Sequence, residues 1–254
     1  MQKIKQWAPT GQGLAAVALG LVNGAVYIFS VVLMIRGLYY GLHCGYGTAS
    51  GVWRWIANFS LLVQFPILHS YLASERGHGL LKRLSPHPFE VSTIFTLIAG
   101  LQLAFVFLAW SPSSSTLWEP HGALRVLLSL LYVGGWMLLG KAIFDAGFLF
   151  QTGILGWLAV VTGEKPKYPG MPNKGLFRCC RQPIYLAFLC TLWTSPVWTA
   201  DHLFLAVLWS CYCLAAPLLK EARYTKYFGQ DFAEYQKSTP YFFPRLFGSK
   251  KLRE

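Results

Sequence analysis

Arg181 and Pro183 stand where a polar stretch rich in glycine and proline gives way to an apolar run. Proline fits the first turn of a helix, because the N–H that it lacks would be unpaired there anyway. The exposed N–H groups and the dipole at such a helix start favour an anionic group, and the Arg181 guanidinium adds a planar fork of donors for a carboxylate or phosphate. Tyr185 could close over a ring or a cation. An ordinary membrane boundary also collects Arg and Tyr, and the local chemistry leaves that interpretation open.

A second candidate segment runs from Lys220 to Arg245 and mixes charged with aromatic residues. Glu221 stands at a membrane boundary, where a carboxylate is costly unless it is paired. The sequence predicts a helix that ends near Gly229, then a second short helix and an aromatic stretch that contains proline. The alternative is a solvated interfacial helix in which Glu221 pairs with Lys220 or Arg223.

Two further candidates lie within apolar runs. Lys141 and Asp145 are four residues apart and share one helix face, so they form either a functional pair or a structural ion pair. His69 could bind a metal or haem, move protons, or be a hydrogen-bonded core histidine. The six cysteines include no Cys-x-x-Cys pair and the other histidines show no ligand spacing, so we predict no metal site.

The composition indicates a membrane protein. The chain is 54% hydrophobic and 13% charged, whereas a soluble domain carries about 25% charged residues. The net charge of +12 would suggest a nucleic-acid partner in a soluble protein. In a membrane protein it indicates cytoplasmic loops beside anionic lipid, so we predict membrane lipids as partners and no nucleic acid.

A spanning helix needs about 20 mostly apolar residues. Six runs meet or approach this length, at roughly Leu14–Leu38, Val52–Leu72, Val91–Trp110, Leu124–Phe150, Ile184–Ala200 and Leu203–Leu219. The last two are short and are joined at Asp201 and His202, which predicts a helical hairpin that tilts or thins the bilayer. With the N-terminus inside, 18 of the 22 basic residues fall in inside segments. The positive-inside rule therefore predicts that both termini are cytoplasmic.

These observations predict an all-α, polytopic membrane bundle of about six transmembrane helices. We expect one domain over residues 1–254, with a transmembrane core at about 14–219. A membrane protein that concentrates its polar sequence on one side is expected to build a site there. The loop 151–183 and the tail 220–254 should therefore form a cytoplasmic, C-terminal site. No sequence feature indicates the oligomeric state.

The segment Arg181-Gln-Pro-Ile-Tyr-Leu186 resembles the Arg-His-Pro-x-Tyr-Leu element of the integral membrane methyltransferases. That group includes isoprenylcysteine carboxyl methyltransferase, phospholipid methyltransferases and the methanethiol S-methyltransferases. Their second element is a Glu-Glu pair, then Phe-Gly or Tyr-Gly, a Tyr and a proline-rich end. Here it is matched by Lys220-Glu221, Phe228-Gly229, Tyr235, Pro240 and Pro244. Upstream, the order in the methanethiol enzymes and their NnrU-like relatives is matched by His69-Ser70, Glu90–Thr93 and Ala109–Pro112.

The resemblance covers roughly residues 60–246. It implies transfer of a methyl group from S-adenosylmethionine to a thiol or to another small or lipophilic acceptor. In these enzymes the acceptor enters from the bilayer. It assigns to the cofactor site the residues Arg181, Gln182, Pro183, Tyr185, Leu186, Glu221 and Tyr235. It places Asp145, His69 and Gln151 near the acceptor. A thiol acceptor would need to be deprotonated, and Asp145 is the best candidate for that base.

Two positions depart from the family pattern. Gln182 replaces a His and cannot titrate, and Lys220 replaces a Glu and so reverses the charge. Lys220 could pair with the carboxylate of the cofactor, or it could indicate a different ligand. Two alternatives follow. The first is a different enzyme on an NnrU-like scaffold, either haem-dependent, with His69 as the candidate haem ligand, or of a reductase or isomerase type. The second is a non-catalytic membrane protein that keeps the fold.

Overall fold

The computed structural model describes residues 11–113 and 115–243. Pro244 and the basic residues of both chain ends, which entered the motif and the charge argument, lie outside the described residues. The helices are α1 (Gly11–Tyr39), α2 (Gly51–Leu72), α3 (Glu75–Leu84), α4 (Val91–Ala109), α5 (Gly122–Asp145), α6 (Phe148–Gln151), α7 (Ile154–Thr162), α8 (Pro183–Trp193) and α9 (Ala200–Ser238). Two 3-10 turns lie at Pro88–Glu90 and Gly175–Arg178, and the short strands β1 (Thr116–Trp118) and β2 (Trp198–Thr199) pair antiparallel.

The prediction of an all-α, multi-pass membrane bundle is confirmed. Within the described residues, four helical segments are long and apolar enough to cross a membrane: Gly11–Tyr39, Pro88–Ala109, Gly122–Asp145 and Ala200–Ser238. The pair formed by α2 and α3 adds a fifth, although it is bent by 87° at the break between its two helices.

The predicted hairpin near the C-terminus differs from the observed structure. In place of a span over Ile184–Ala200, α8 has 11 residues, which is about 16 Å and half the thickness of the hydrocarbon core. Pro196 follows two residues after the C-cap Thr194, where a helix cannot readily continue. Asp201 and His202, expected in the tight polar turn of the hairpin, are fully buried in the first turn of α9. Thr199 caps that turn by accepting a hydrogen bond from the His202 backbone N–H at 3.0 Å.

The chain divides into two compact units, and the first comprises residues 11–37, 44–112 and 149–168. Leu72, Leu81 and Val91 form an apolar cluster where α2, α3 and α4 meet. Buried polar contacts supplement this packing, as is common between membrane helices. The Asn58 amide donates to the Ser111 carbonyl at 2.9 Å, and the Ser111 N–H donates back to the Asn58 Oδ1 at 3.0 Å.

The second unit comprises residues 38–43, 113–148 and 169–243. Helices α5 and α8 approach closely at Gly135, where a Cβ would lie 3.2 Å from the Thr191 methyl group. At the start of α9, the Asp201 carboxylate accepts from the Ser113 N–H at 2.5 Å. Gly229 has a left-handed backbone conformation with φ of 52°, which divides α9 into a long and a short helix. The sequence predicted a helix end near this glycine. The prediction of one domain over the whole chain stays a prediction.

Asn58→Ala should destabilise the first unit, because it leaves the buried N–H and C=O of Ser111 without their partner. We expect a loss of about 1–3 kcal/mol, measured by reversible unfolding in mixed detergent micelles. Ser60→Ala is the matched control, since the Ser60 hydroxyl is exposed and bonds only to a carbonyl of its own helix. Equal stability of the two variants would contradict the prediction.

Candidate functional site

The candidate site lies in the second unit, where the start of α8 contacts α9. The contact involves the part of α9 from Lys220 onward, which the sequence predicts to be cytoplasmic. Pro183 occupies the first turn of α8, as the sequence predicted, and the Leu186 N–H donates to the Gln182 carbonyl at 3.0 Å. Just before the helix, the Arg181 backbone N–H donates to the Pro240 carbonyl at 2.9 Å. The two motifs found in the sequence, one at 181–186 and the other beginning at Lys220, are therefore in direct contact.

The Glu221 carboxylate lies at the centre of this contact. Its Oε1 accepts from the Arg181 Nε at 2.9 Å and from the Gln182 amide at 2.7 Å. Its Oε2 accepts from the Arg181 Nη2 at 3.3 Å and from the Gln236 amide at 2.9 Å. These four donors match the roughly four acceptor positions of a carboxylate. Glu221 therefore forms its ion pair with Arg181, and not with Arg223 or Lys220 as the alternative interpretation held.

Arg181 uses its remaining donors to hold the end of the tail. Its Nη1 donates to the Thr239 carbonyl at 2.6 Å and to the Gln236 carbonyl at 3.1 Å. The guanidinium also lies 5.4 Å from the centre of the Tyr241 ring, within the range of a cation–π interaction. Four of the five N–H donors of the guanidinium thus bond to Glu221 and to carbonyl groups that would otherwise be unpaired at a helix end.

The two positions that depart from the family pattern contact each other. Lys220 Nζ donates to the Gln182 Oε1 at 3.2 Å, while the amide nitrogen of Gln182 donates to Glu221. Gln182 is 1% exposed, so both ends of its amide are used in a buried position. The Lys220 ammonium also lies 5.4 Å from the Phe177 ring centre and 5.3 Å from that of Tyr224. A glutamine can bridge a cation and an anion in this way because its amide both accepts and donates.

Tyr235 and Asp145 hold the 3-10 turn Gly175–Arg178 from two sides. The Tyr235 hydroxyl donates to the Phe177 carbonyl at 2.6 Å. The Asp145 Oδ2 accepts from the Leu176 N–H at 2.9 Å, and its other oxygen pairs with Lys141. Lys141 and Asp145 therefore form an ion pair along one helix face, as their spacing predicted, and this pair also anchors a loop.

The other predicted site residues are less closely tied to this network. Tyr185 lies on α8 and interacts electrostatically with Tyr212, Arg223 and Tyr224 of α9. His69 belongs to the first unit, where its ring stacks on Phe65 at 5.1 Å and contacts Phe95 at 4.9 Å. The structure thus places His69 among aromatic rings, and its role stays a prediction.

Cys180 is a buried neighbour of the network, whereas Cys179 is exposed. Burial raises the pKa of the Cys180 thiol above its ordinary value, so this cysteine stays protonated at neutral pH.

Three contributors to the network were not identified from the sequence: Phe177, Gln236 and Tyr241. Gln236 follows Tyr235 directly and could have been found by asking which polar side chain of the short terminal helix faces Glu221. The use of backbone carbonyls at Gln236, Thr239 and Pro240 leaves no signal in residue types, because every residue carries a carbonyl.

Comparison with known proteins identifies relatives of this chain. It is 28% identical over 190 residues to methanethiol S-methyltransferase 1 of Bradyrhizobium diazoefficiens, covering 74% of this chain and 66% of that enzyme. It is 27% identical over 187 residues to the methanethiol S-methyltransferase of Pseudomonas deceptionensis, covering 73% and 71% of the two chains. The chain is thus similar, over about three quarters of its length, to proteins named methanethiol S-methyltransferase.

A weaker match joins this chain to a relative whose name states no activity. Nurim of Xenopus laevis is 27% identical over 166 residues, which cover 61% of this chain and 57% of nurim. No family model and no solved structure matches the chain. The resemblance that the Arg-Gln-Pro-Ile-Tyr-Leu segment suggested is confirmed at the level of the superfamily. The roles of single residues remain predictions.

The contact between Gln182 and Lys220 should be energetically coupled. We expect the variants Gln182→Leu and Lys220→Met, and the double variant, to give a coupling energy of about 1 kcal/mol or more in a double-mutant cycle of reversible unfolding. The control cycle uses Gln230 and Glu234, an exposed pair joined at 3.3 Å, for which a few tenths of a kcal/mol is expected. Additive effects of the Gln182 and Lys220 substitutions would refute the coupling.

Gly175→Ala should destabilise the protein more than Gly163→Ala. Both glycines have a left-handed backbone, with φ of 57° and 68°, so alanine costs about 1–2 kcal/mol at either position. At Gly163 the space around a new Cβ is open, whereas at Gly175 the Cβ would overlap the Asp145 carboxylate. Thermal unfolding in detergent measures the difference, and equal losses would show that Asp145 does not press against this turn.

Proposed function

We propose that this protein transfers the methyl group of S-adenosylmethionine to a small or lipophilic thiol at the cytoplasmic face of a membrane. The observation that carries the proposal is the direct contact of Arg181 and Gln182 with Glu221. These residues belong to the two elements that resemble the methyltransferase motifs. Enzymes matched over about three quarters of this chain are named for methyl transfer to methanethiol. We extend the proposal to both termini being cytoplasmic, on the distribution of basic residues.

The residues present fit S-adenosylmethionine, which carries a carboxylate, an ammonium and a sulfonium. Among the described residues, Lys220 Nζ donates one hydrogen bond, to Gln182, and an ammonium has three donors. Its remaining donors suit the carboxylate of the cofactor. The rings of Phe177 and Tyr224 beside Lys220, and Tyr185 on α8, offer faces for the adenine or the sulfonium.

Glu221 acts in this proposal as a positioning residue. Its four acceptor positions are filled by Arg181, Gln182 and Gln236, so its main contribution is to fix those side chains. Gln182 in turn orients the Lys220 ammonium. Tyr235 and Asp145 hold the turn that carries Phe177. A site that is rigid before the ligand binds needs less reorganisation to align donor and acceptor.

When bound, S-adenosylmethionine supplies an activated methyl group, and its transfer to a thiol forms a carbon–sulfur bond and releases the thiol proton. Asp145 was the best candidate for accepting that proton. Its two oxygens accept from Lys141 and from the Leu176 N–H, and both donors favour a stable anion over a protonated acid. We therefore propose that Asp145 positions the turn and that a thiol reaches the site already ionised or loses its proton to water.

Binding of S-adenosylmethionine tests the proposal directly. We expect saturable binding of this compound and of S-adenosylhomocysteine to detergent-purified protein in a calorimetric titration. Glu221→Gln should weaken the affinity at least tenfold, because it removes the charge that holds Arg181. Glu234→Gln, an isosteric change at an exposed position on the same helix, should bind as the wild type does.

Transfer of a labelled methyl group to methanethiol and to benzenethiol then tests the acceptor class. If the protein binds S-adenosylmethionine but methylates no thiol, the proposed cofactor stands and the proposed acceptor class is wrong. The absence of binding at millimolar ligand would reject the methyltransferase assignment and favour a non-catalytic protein of the same fold.

A further inference from the structure

Helix α3 (Glu75–Leu84) separates charged from apolar residues along its length. At 100° per residue, one face carries Gly77, Leu80, Leu81 and Leu84. The opposite face carries Glu75, Arg76, His78, Lys82 and Arg83. The three basic side chains are all exposed. The face therefore carries a net positive charge even with its one acidic residue.

The position of α3 relative to its own unit suggests what the helix contacts. Helix α2 has 22 residues and is about 33 Å long, so its length matches the thickness of the hydrocarbon core. The chain then turns by 87° into α3. If α2 spans the bilayer, α3 runs nearly parallel to the membrane surface and begins where the span ends.

Only part of the apolar face of α3 is covered by protein. Leu81 is 1% exposed and packs in the cluster with Leu72 and Val91, which fixes the helix to its unit. Leu80 and Leu84 remain 40% and 55% exposed. Around the helix, Leu80 and Leu84 lie between the anchored Leu81 and the basic residues Arg76 and Arg83, so exposed leucines adjoin exposed basic side chains.

We propose that α3 lies in the membrane interface and binds the head groups of anionic phospholipids. Arg76, Lys82 and Arg83 contact the phosphates, while Leu80 and Leu84 enter the adjoining acyl region. A bilayer with anionic lipid presents both chemistries in this order, and each basic residue near such a surface contributes about fivefold to binding. The Ser74 hydroxyl, which accepts from the Gly77 N–H at 3.2 Å, caps the helix, and the basic residues of its last turn suit the helix dipole. This inference is independent of the proposed enzymatic function.

Native mass spectrometry of the full-length protein, with phosphatidylglycerol or phosphatidylcholine added to detergent micelles, tests the lipid preference. We expect phosphatidylglycerol to be retained preferentially. The triple variant R76Q/K82Q/R83Q should lower the ratio of phosphatidylglycerol to phosphatidylcholine adducts by at least about fivefold. The variant R76K/R83K conserves the charge and should keep the preference.

A second triple variant, K165Q/K167Q/K174Q, serves as the matched control. It removes the same charge from exposed positions of another loop and should leave the ratio unchanged. Equal retention of the two lipids by the wild type, or equal losses in both triple variants, would overturn the proposal. Thermal unfolding in phosphatidylcholine nanodiscs, where all variants should match the wild type, separates lost lipid binding from lost folding. A lower melting temperature of R76Q/K82Q/R83Q there would show that these side chains stabilise the protein itself and would also count against the proposal.

Discussion

A buried carboxylate at the end of an apolar helix must find donors, and the need to satisfy Glu221 organises the second unit. Leaving such a charge unpaired in a poorly hydrated place costs several kcal/mol. The donors come from the start of α8 through Arg181 and Gln182 and from the short terminal helix through Gln236. The tail is therefore brought back onto α8 because the carboxylate and the guanidinium each complete the bonding of the other.

The same network determines the electrostatic character of the site. Arg181 and Glu221 neutralise each other, and among the described residues the Lys220 ammonium forms no ion pair with a carboxylate of its own. Lys220 and Glu221 are adjacent in sequence, so one amide, that of Gln182, can be bonded to both. The two departures from the family pattern thus belong to one local arrangement and favour a ligand with an anionic group.

Backbone geometry places the aromatic part of the site. The turn that carries Phe177 requires a left-handed residue at position 175, and the close approach of the Asp145 carboxylate leaves no room there for a side chain. Asp145 and Tyr235 then bind neighbouring peptide groups of this turn from α5 and α9. The geometry of the candidate site consequently depends on an ion pair at the end of α5, which by itself resembles an ordinary i, i+4 contact.

The sequence by itself determined the all-α membrane class, the helix start at Pro183, the break at Gly229 and the choice of Arg181, Gln182 and Glu221 as candidate site residues. These features follow from local hydropathy, from backbone restrictions of proline and glycine, and from the cost of charge at a membrane boundary. Tertiary structure decided that α8 is too short to span, that Glu221 pairs with Arg181 and not with its neighbours, and that Asp145 anchors a turn. Those outcomes depend on contacts between distant segments and on backbone carbonyls, which residue types do not reveal.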